Sequence, residues 1–121
     1  MFKALGHPAR ARIALLLRGG ELCACQITAV LELAPSTVSA HLAELRRARC
    51  LTERKDGRWI YYNLAQSQEV GEIVEWLWQR VKGDPQIRSD AAVVKQLRTI
   101  PVAELCSADF DLEQLATSRT V

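Results

Sequence analysis

Four residues in this chain of 121 stand out for the chemistry they could do: Cys23, Cys25, Cys50 and Cys106. Cys23 and Cys25 sit two apart in the string ELCACQI. Thiolates are soft ligands that select soft or borderline ions, and exposed thiols also oxidise. In a reducing compartment a chain of this kind is better read as metal-binding or reactive than as a disulfide framework. A helix N-terminus favours a thiolate over a thiol, and the pair falls where a helix is expected to begin. The plain alternative is equally open on the residues alone: Cys23 as a helix-start residue and Cys25 as a small buried hydrophobe. Cys50 follows a basic stretch and reads as core packing. Cys106 could fold back toward the pair or cross to a second copy, with a free surface thiol as the alternative.

These side chains must be positioned by the elements around them. A short helix ends near residue 6. Pro8 suits the first position of the next helix, which the apolar residues Ile13 to Leu17 carry to about Arg18 before Gly19-Gly20 stops it. Ile27, Val30 and Leu31 form the apolar stripe of a helix from Cys23 to about Leu31. Leu33-Ala34 connects it to another, opened by Pro35 and running to about Arg49, with Val38, Leu42 and Leu45 on one face. Two short helices joined tightly, with small polar residues early in the second, are what a helix-turn-helix requires. Ser36, Thr37, Ser39 and His41 are the candidates to meet base edges or backbone in a major groove.

The period then changes. Residues 51–55 and 58–64 alternate around Asp56-Gly57, a strong hairpin signal. Its tip is basic, so Arg54, Lys55 and Arg58 are candidates for phosphate contact from a wing, with Arg47 reaching phosphates from the end of the recognition helix. The fold class expected is mostly helical with a small β-hairpin: a winged helix-turn-helix of order α-α-α-α-β-β-α followed by a helical extension. A long helix over Gln68–Lys82 carries Val70, Ile73, Val74, Leu77 and Val81 at helical spacing. A homodimer interface is the natural way to bury that surface. Gly83-Asp84-Pro85 then divides residues 1–83, a DNA-binding and dimerisation domain, from an extension over 84–121. The extension is expected to hold a helix from Ile87 to Thr99 and a short turn at Asp111–Ala116.

Net charge is +2, but it is unevenly spread. Residues 46–58 hold six basic and two acidic side chains, and residues 84–121 four basic and six acidic. A basic middle fits a local contact with a polyanion. No apolar run reaches membrane-spanning length and no signal-peptide pattern opens the chain, so a cytoplasmic protein without a membrane partner is expected. An enzyme would need a convergent polar constellation. Cys25 and His41 could pair as nucleophile and base, but no nucleophile elbow, phosphate loop or paired carboxylates accompany them, so no catalytic residue and no catalytic cofactor is expected. A winged module that has lost DNA binding is a further alternative, and the basic wing speaks against it.

The strings LGHPARARIALLL, ELCACQI and APSTVSAHLAELRRARCLTERKDGRWIYYNL together resemble the ArsR/SmtB family of metal-responsive repressors, most of all its arsenite-sensing branch. The resemblance covers roughly residues 2–65. It implies a homodimeric winged helix that holds double-stranded operator DNA and releases it on binding an inducer. For this branch the inducer would be trivalent arsenic, with antimony as second candidate, held by up to three thiolates. Cys23 and Cys25 are then the metal ligands. The third cysteine that often follows three residues later is replaced here by Thr28, which makes Cys106 the candidate third ligand. Ala40 stands before His41 where the family often carries Arg. Carboxylate–histidine zinc sites on the last helix have no counterpart, since Gln68–Lys82 holds no His. Another soft metal, or oxidation of the thiols, is the alternative signal. Residues two apart on a regular helix lie about 200° apart around its axis. Binding one ion through Cys23 and Cys25 is therefore expected to distort the first turn of the helix that supports the reader.

Overall fold

The computed structural model describes residues 2–106. Its elements run α1 (Phe2–Leu5), α2 (Pro8–Leu17), β1 (Leu22–Cys23), α3 (Ala24–Leu31), α4 (Pro35–Arg47), β2 (Leu51–Asp56), β3 (Trp59–Leu64), α5 (Gln68–Val81), α6 (Pro85–Leu97) and α7 (Val102–Leu105). The helices begin where the caps dictate. His7 accepts from the Ala9 amide through Nδ1 at the start of α2. Ser67 accepts from the Val70 amide at the start of α5. Asp84 accepts from the Gln86 amide ahead of Pro85, so α6 starts two residues before the Ile87 expected from periodicity.

Three strands form an antiparallel sheet in the order β1-β3-β2. The hairpin is the expected one, but its turn sits one residue later. Asp56 pairs with Trp59 as the last rung, leaving Gly57-Arg58 as the two-residue loop. Gly57 has φ 61°, and a glycine at the first loop position suits a hairpin turn that needs the left-handed half of backbone space there. The two-residue strand β1 was not expected. Leu22 and Cys23 pair with Tyr62 and Tyr61 of β3, nearly forty residues away, and two residues carry no period from which to read a strand.

The helix-turn-helix is α3 and α4, with Glu32 turning the chain at φ 56°. The recognition helix α4 ends on a Schellman arrangement. The Cys50 amide donates to the Leu45 carbonyl, and the Arg49 amide to the Arg46 carbonyl, around Arg49 at φ 63°. That closure buries Cys50 beneath the start of the wing, so it packs as expected.

One core joins α2, α3, α4 and the sheet through residues such as Ile13, Ile27, Leu45 and Tyr62. Val93 and Leu97 of α6 and Leu105 of α7 belong to the same core. The C-terminal helices are therefore packed onto the reader. Arg12 of α2 and Asp90 of α6 add a two-pronged ion pair, both contacts at 2.9 Å, with Asp90 only 3% exposed. Gln86 donates to the same carboxylate. No helix among the described residues is long and apolar enough to cross a membrane. The turn expected at Asp111–Ala116 lies outside the described residues.

Candidate metal centre and nucleic-acid interface

Cys23 ends β1 and is also the N-cap of α3. Its backbone is extended, at φ −75° and ψ 152°. Its amide is held by the Gln26 Oε1 at 2.7 Å, one half of a capping box in which Gln26 is buried. Cys25 is the second residue of α3, and Cys106 follows α7 directly. The chain brings the three sulfurs together, all within 4.8 Å of one another, with Cys23 buried and the other two half-buried. Cys25 and Cys106 are joined as a disulfide, and the Cys23 Sγ lies 4.0 Å from the Cys106 Sγ.

This corrects the expected strain. Cys23 is not on the helix, so the separation of about 200° that two helical residues would have does not apply. An N-cap in the β region aims its side chain back over the first turn, where Cys25 also lies. No unwinding of α3 is needed for the two sulfurs to meet. The signal for this was present in the sequence as Cys23-x-x-Gln26, a capping pattern with sulfur in place of hydroxyl. Thr28 donates its hydroxyl to the Ala24 carbonyl and offers nothing to the cluster. The fourth cysteine, Cys50, stands apart as a free buried thiol, and burial pushes its pKa up. Two bonds of the Zn–S length, about 2.3 Å each, span at most about 4.6 Å. Small side-chain rotations of the reduced cysteines would therefore place three soft donors around one ion.

The candidate DNA-facing residues divide by their surroundings. Ser36, Thr37 and Ser39 are all exposed on α4, as is Ala40. His41 is half-buried on another side, its ring 4.5 Å from that of His7 at the start of α2. Burial, followed by the nearby charges of His7 and Arg10, lowers its pKa. Arg47 is exposed and pairs with Glu44. On the wing, Lys55 and Arg58 are exposed, with the Arg58 guanidinium 5.5 Å over the Trp59 ring. Arg54 is engaged differently. It forks onto Glu21 at 2.6 and 3.1 Å and stacks over Tyr61, and the pairing lowers the pKa of Glu21. Asn63 donates to the same Glu21 carboxylate. Arg54 thus ties the wing to the residue before β1, a role its place in the sequence did not suggest.

A short-linked helix pair, a basic hairpin beside its second helix, and a thiol cluster at the foot of its first helix together define a winged-helix DNA-binding regulator. The model described as "Bacterial regulatory protein, arsR family" matches residues 7–52. The arsenic resistance transcriptional regulator ArsR1 of Pseudomonas putida is 43% identical over 84 residues, which make up 69% of this chain and 62% of that protein. The chain therefore matches somewhat under two thirds of that relative's length. ArsR2 of the same organism, also an arsenic resistance transcriptional regulator, is 33% identical over 99 residues, 81% of this chain and 82% of that one. Reduced HlyU from Vibrio cholerae superposes with a TM-score of 0.61 at 35% identity, covering 64% of this chain and 81% of that one. The chain belongs to the arsR family of bacterial regulatory proteins. Its relatives are transcriptional regulators and not enzymes.

Proposed function

We propose that the chain is a homodimeric repressor that holds operator DNA through α4 and the wing and releases it when Cys23, Cys25 and Cys106 bind trivalent arsenic. Antimony, chemically similar and equally thiophilic, is the second inducer. The observation that carries this reading is the gathering of three sulfurs within 4.8 Å at the foot of the helix that supports the reader. The names of two relatives, both arsenic resistance regulators, support the choice of ion. The balance is simple: three As–O bonds of arsenous acid and three S–H bonds give three As–S bonds and three waters, with no change of oxidation state. The cysteines must be reduced first, because a disulfide offers no thiolate.

Cys23 couples the site to DNA. It is at once the end of the sheet that carries the wing and the cap of α3. Drawing its sulfur toward Cys25 and Cys106 biases both parts that touch DNA. An inducer that favours the gathered arrangement lowers the population fitted to the operator. Ser36, Thr37 and Ser39 would read the major groove, and Arg47, Lys55 and Arg58 would meet phosphates. The second copy would dock on Ile73, Trp76 and Leu77 of α5, of which Trp76 is 58% exposed.

The Cys25–Cys106 disulfide favours one further reading, a repressor answering oxidation. There, peroxide and two thiols give the disulfide and two waters. Fluorescence anisotropy on a promoter fragment separates the two. Release by arsenite in reductant, lost in Cys23→Ser, Cys25→Ser and Cys106→Ser, supports the arsenic sensor. Release by peroxide alone, with arsenite inert, replaces it with the oxidation sensor.

A further inference from the structure

A second candidate site lies away from the cysteines, between α2, the latter half of α5 and α6. The cavity there is about 330 Å³ and is walled by Leu15, Leu16, Trp78, Ile87, Ala91 and Val94. Sites for small molecules run from roughly 300 to 1,000 Å³ and are mostly apolar with a few placed polar groups.

The charge at the rim left without an ion-pair partner is all positive. Arg12 is matched by Asp90, and Arg18 by Glu75. Lys95 in the last turn of α6 and Arg98, its C-cap, have no ion-pair partner among the described residues, and both line the cavity. Arg98 spends one donor on the Glu21 carbonyl at 3.3 Å, and its other nitrogens are left for another acceptor. Trp78 offers a flat wall, with Arg18 already 4.4 Å over its ring.

The cavity is also distinct from the face assigned to the second copy. Trp76 and Trp78 are two residues apart, about 200° around α5. Trp78 lines the cavity, while the exposed Trp76 and the half-buried Ile73 lie on the other side of the helix, with Leu77 between the two faces.

We propose that this cavity binds a small amphipathic anion: a flat apolar body seated against Trp78, Ile87 and Val94, with one carboxylate held by Lys95 and Arg98. The carboxylate would take up the Arg98 nitrogens left beside the Glu21 carbonyl, and Glu21 stands two residues before Cys23.

Isothermal titration of the reduced full-length protein with 2-naphthoate, and with its uncharged analogue 2-naphthamide, tests this. The expected result is one naphthoate per chain, with naphthamide weaker by at least about tenfold, the loss of one charge-assisted hydrogen bond. Ala91→Trp, which fills the cavity, should abolish binding, and Lys95→Glu should weaken naphthoate while sparing naphthamide. Circular dichroism and operator binding of both variants check that they fold. No naphthoate binding at millimolar concentration overturns the proposal, as does equal binding of both compounds or binding untouched by Ala91→Trp. Sedimentation showing that Ala91→Trp splits a dimer would instead assign the cavity to a second copy, and would also overturn it.

Discussion

The Cys106 sulfur is bonded to that of Cys25 and stands 4.0 Å from that of Cys23. The sulfur that would complete the proposed trithiolate site is thus also the sulfur that can close it. Oxidised protein should bind no arsenite, and two-electron reduction by a phosphine should restore one arsenic per chain. Mass spectrometry under non-denaturing conditions reads both states. Arsenic bound to the oxidised chain would separate the disulfide from the site.

The wing residues should differ in what they give to DNA. Lys55→Gln and Arg58→Gln should each flatten the dependence of log K on log salt by about 1.8, the mark of one lost phosphate contact on each protomer of a dimer. Arg54→Gln should leave that slope nearly unchanged, because its guanidinium is spent on Glu21. Binding titrations between 50 and 200 mM salt, roughly the range over which such slopes are read, decide the matter.

Asp90→Ala leaves Arg12 half-buried without its partner. Removing one member of a buried pair typically costs about 3–5 kcal/mol; with Arg12 partly reached by solvent, the lower end is expected. Urea denaturation should show the loss as a lower midpoint at unchanged slope.

Arg49 closes the recognition helix in a left-handed conformation, at φ 63°. Such a conformation costs an L-residue about 1 kcal/mol. Arg49→Gly should therefore raise stability by up to about 1 kcal/mol in the same denaturation experiment, with the Schellman closure kept.

His41 gives the fold a pH dependence. Burial and the charges of His7 and Arg10 hold its pKa below the ordinary 6.5. The unfolded chain therefore takes up this proton at higher pH than the folded one. The stabilisation is fully present above about pH 6.5, and is lost as pH falls from there through the folded pKa. The paired carboxylates Glu21 and Glu75 are held below 4.5, so their loss comes only at lower pH. Thermal melts of His41→Gln should lack the first slope and keep the second.

Much of this architecture is legible in the sequence because it is local. Helix periods, Pro8 and Pro35 at helix starts, and a glycine between alternating runs each announce their element without reference to distant residues. What was hidden is nonlocal. The strand β1 exists only because β3 lies beside it. Arg54 reads as a free wing cation until Glu21, 33 positions earlier, is placed under it. The cysteine pair is visible, but its geometry is not, because Cys23 caps the helix and ends a strand that only β3 creates. Cys106 could be named as a candidate only from its residue type. Its approach to Cys25 depends on α6 and α7 packing back onto the core.

The link between Cys25 and Cys106 spans 81 positions, two thirds of the chain, and encloses the whole DNA reader. A tie of that span restricts the disordered chain more than the ordered one, by about 4.5 kcal/mol in the loop-entropy account. A bound ion bridging the same two sulfurs would act as the same stitch. The reduced, empty protein is then the least heat-resistant of its three forms, and on the proposed function it is also the form that would hold the operator. Repression, as proposed, would then depend on the most fragile state of the repressor, with duplex DNA as the ligand that shores it up.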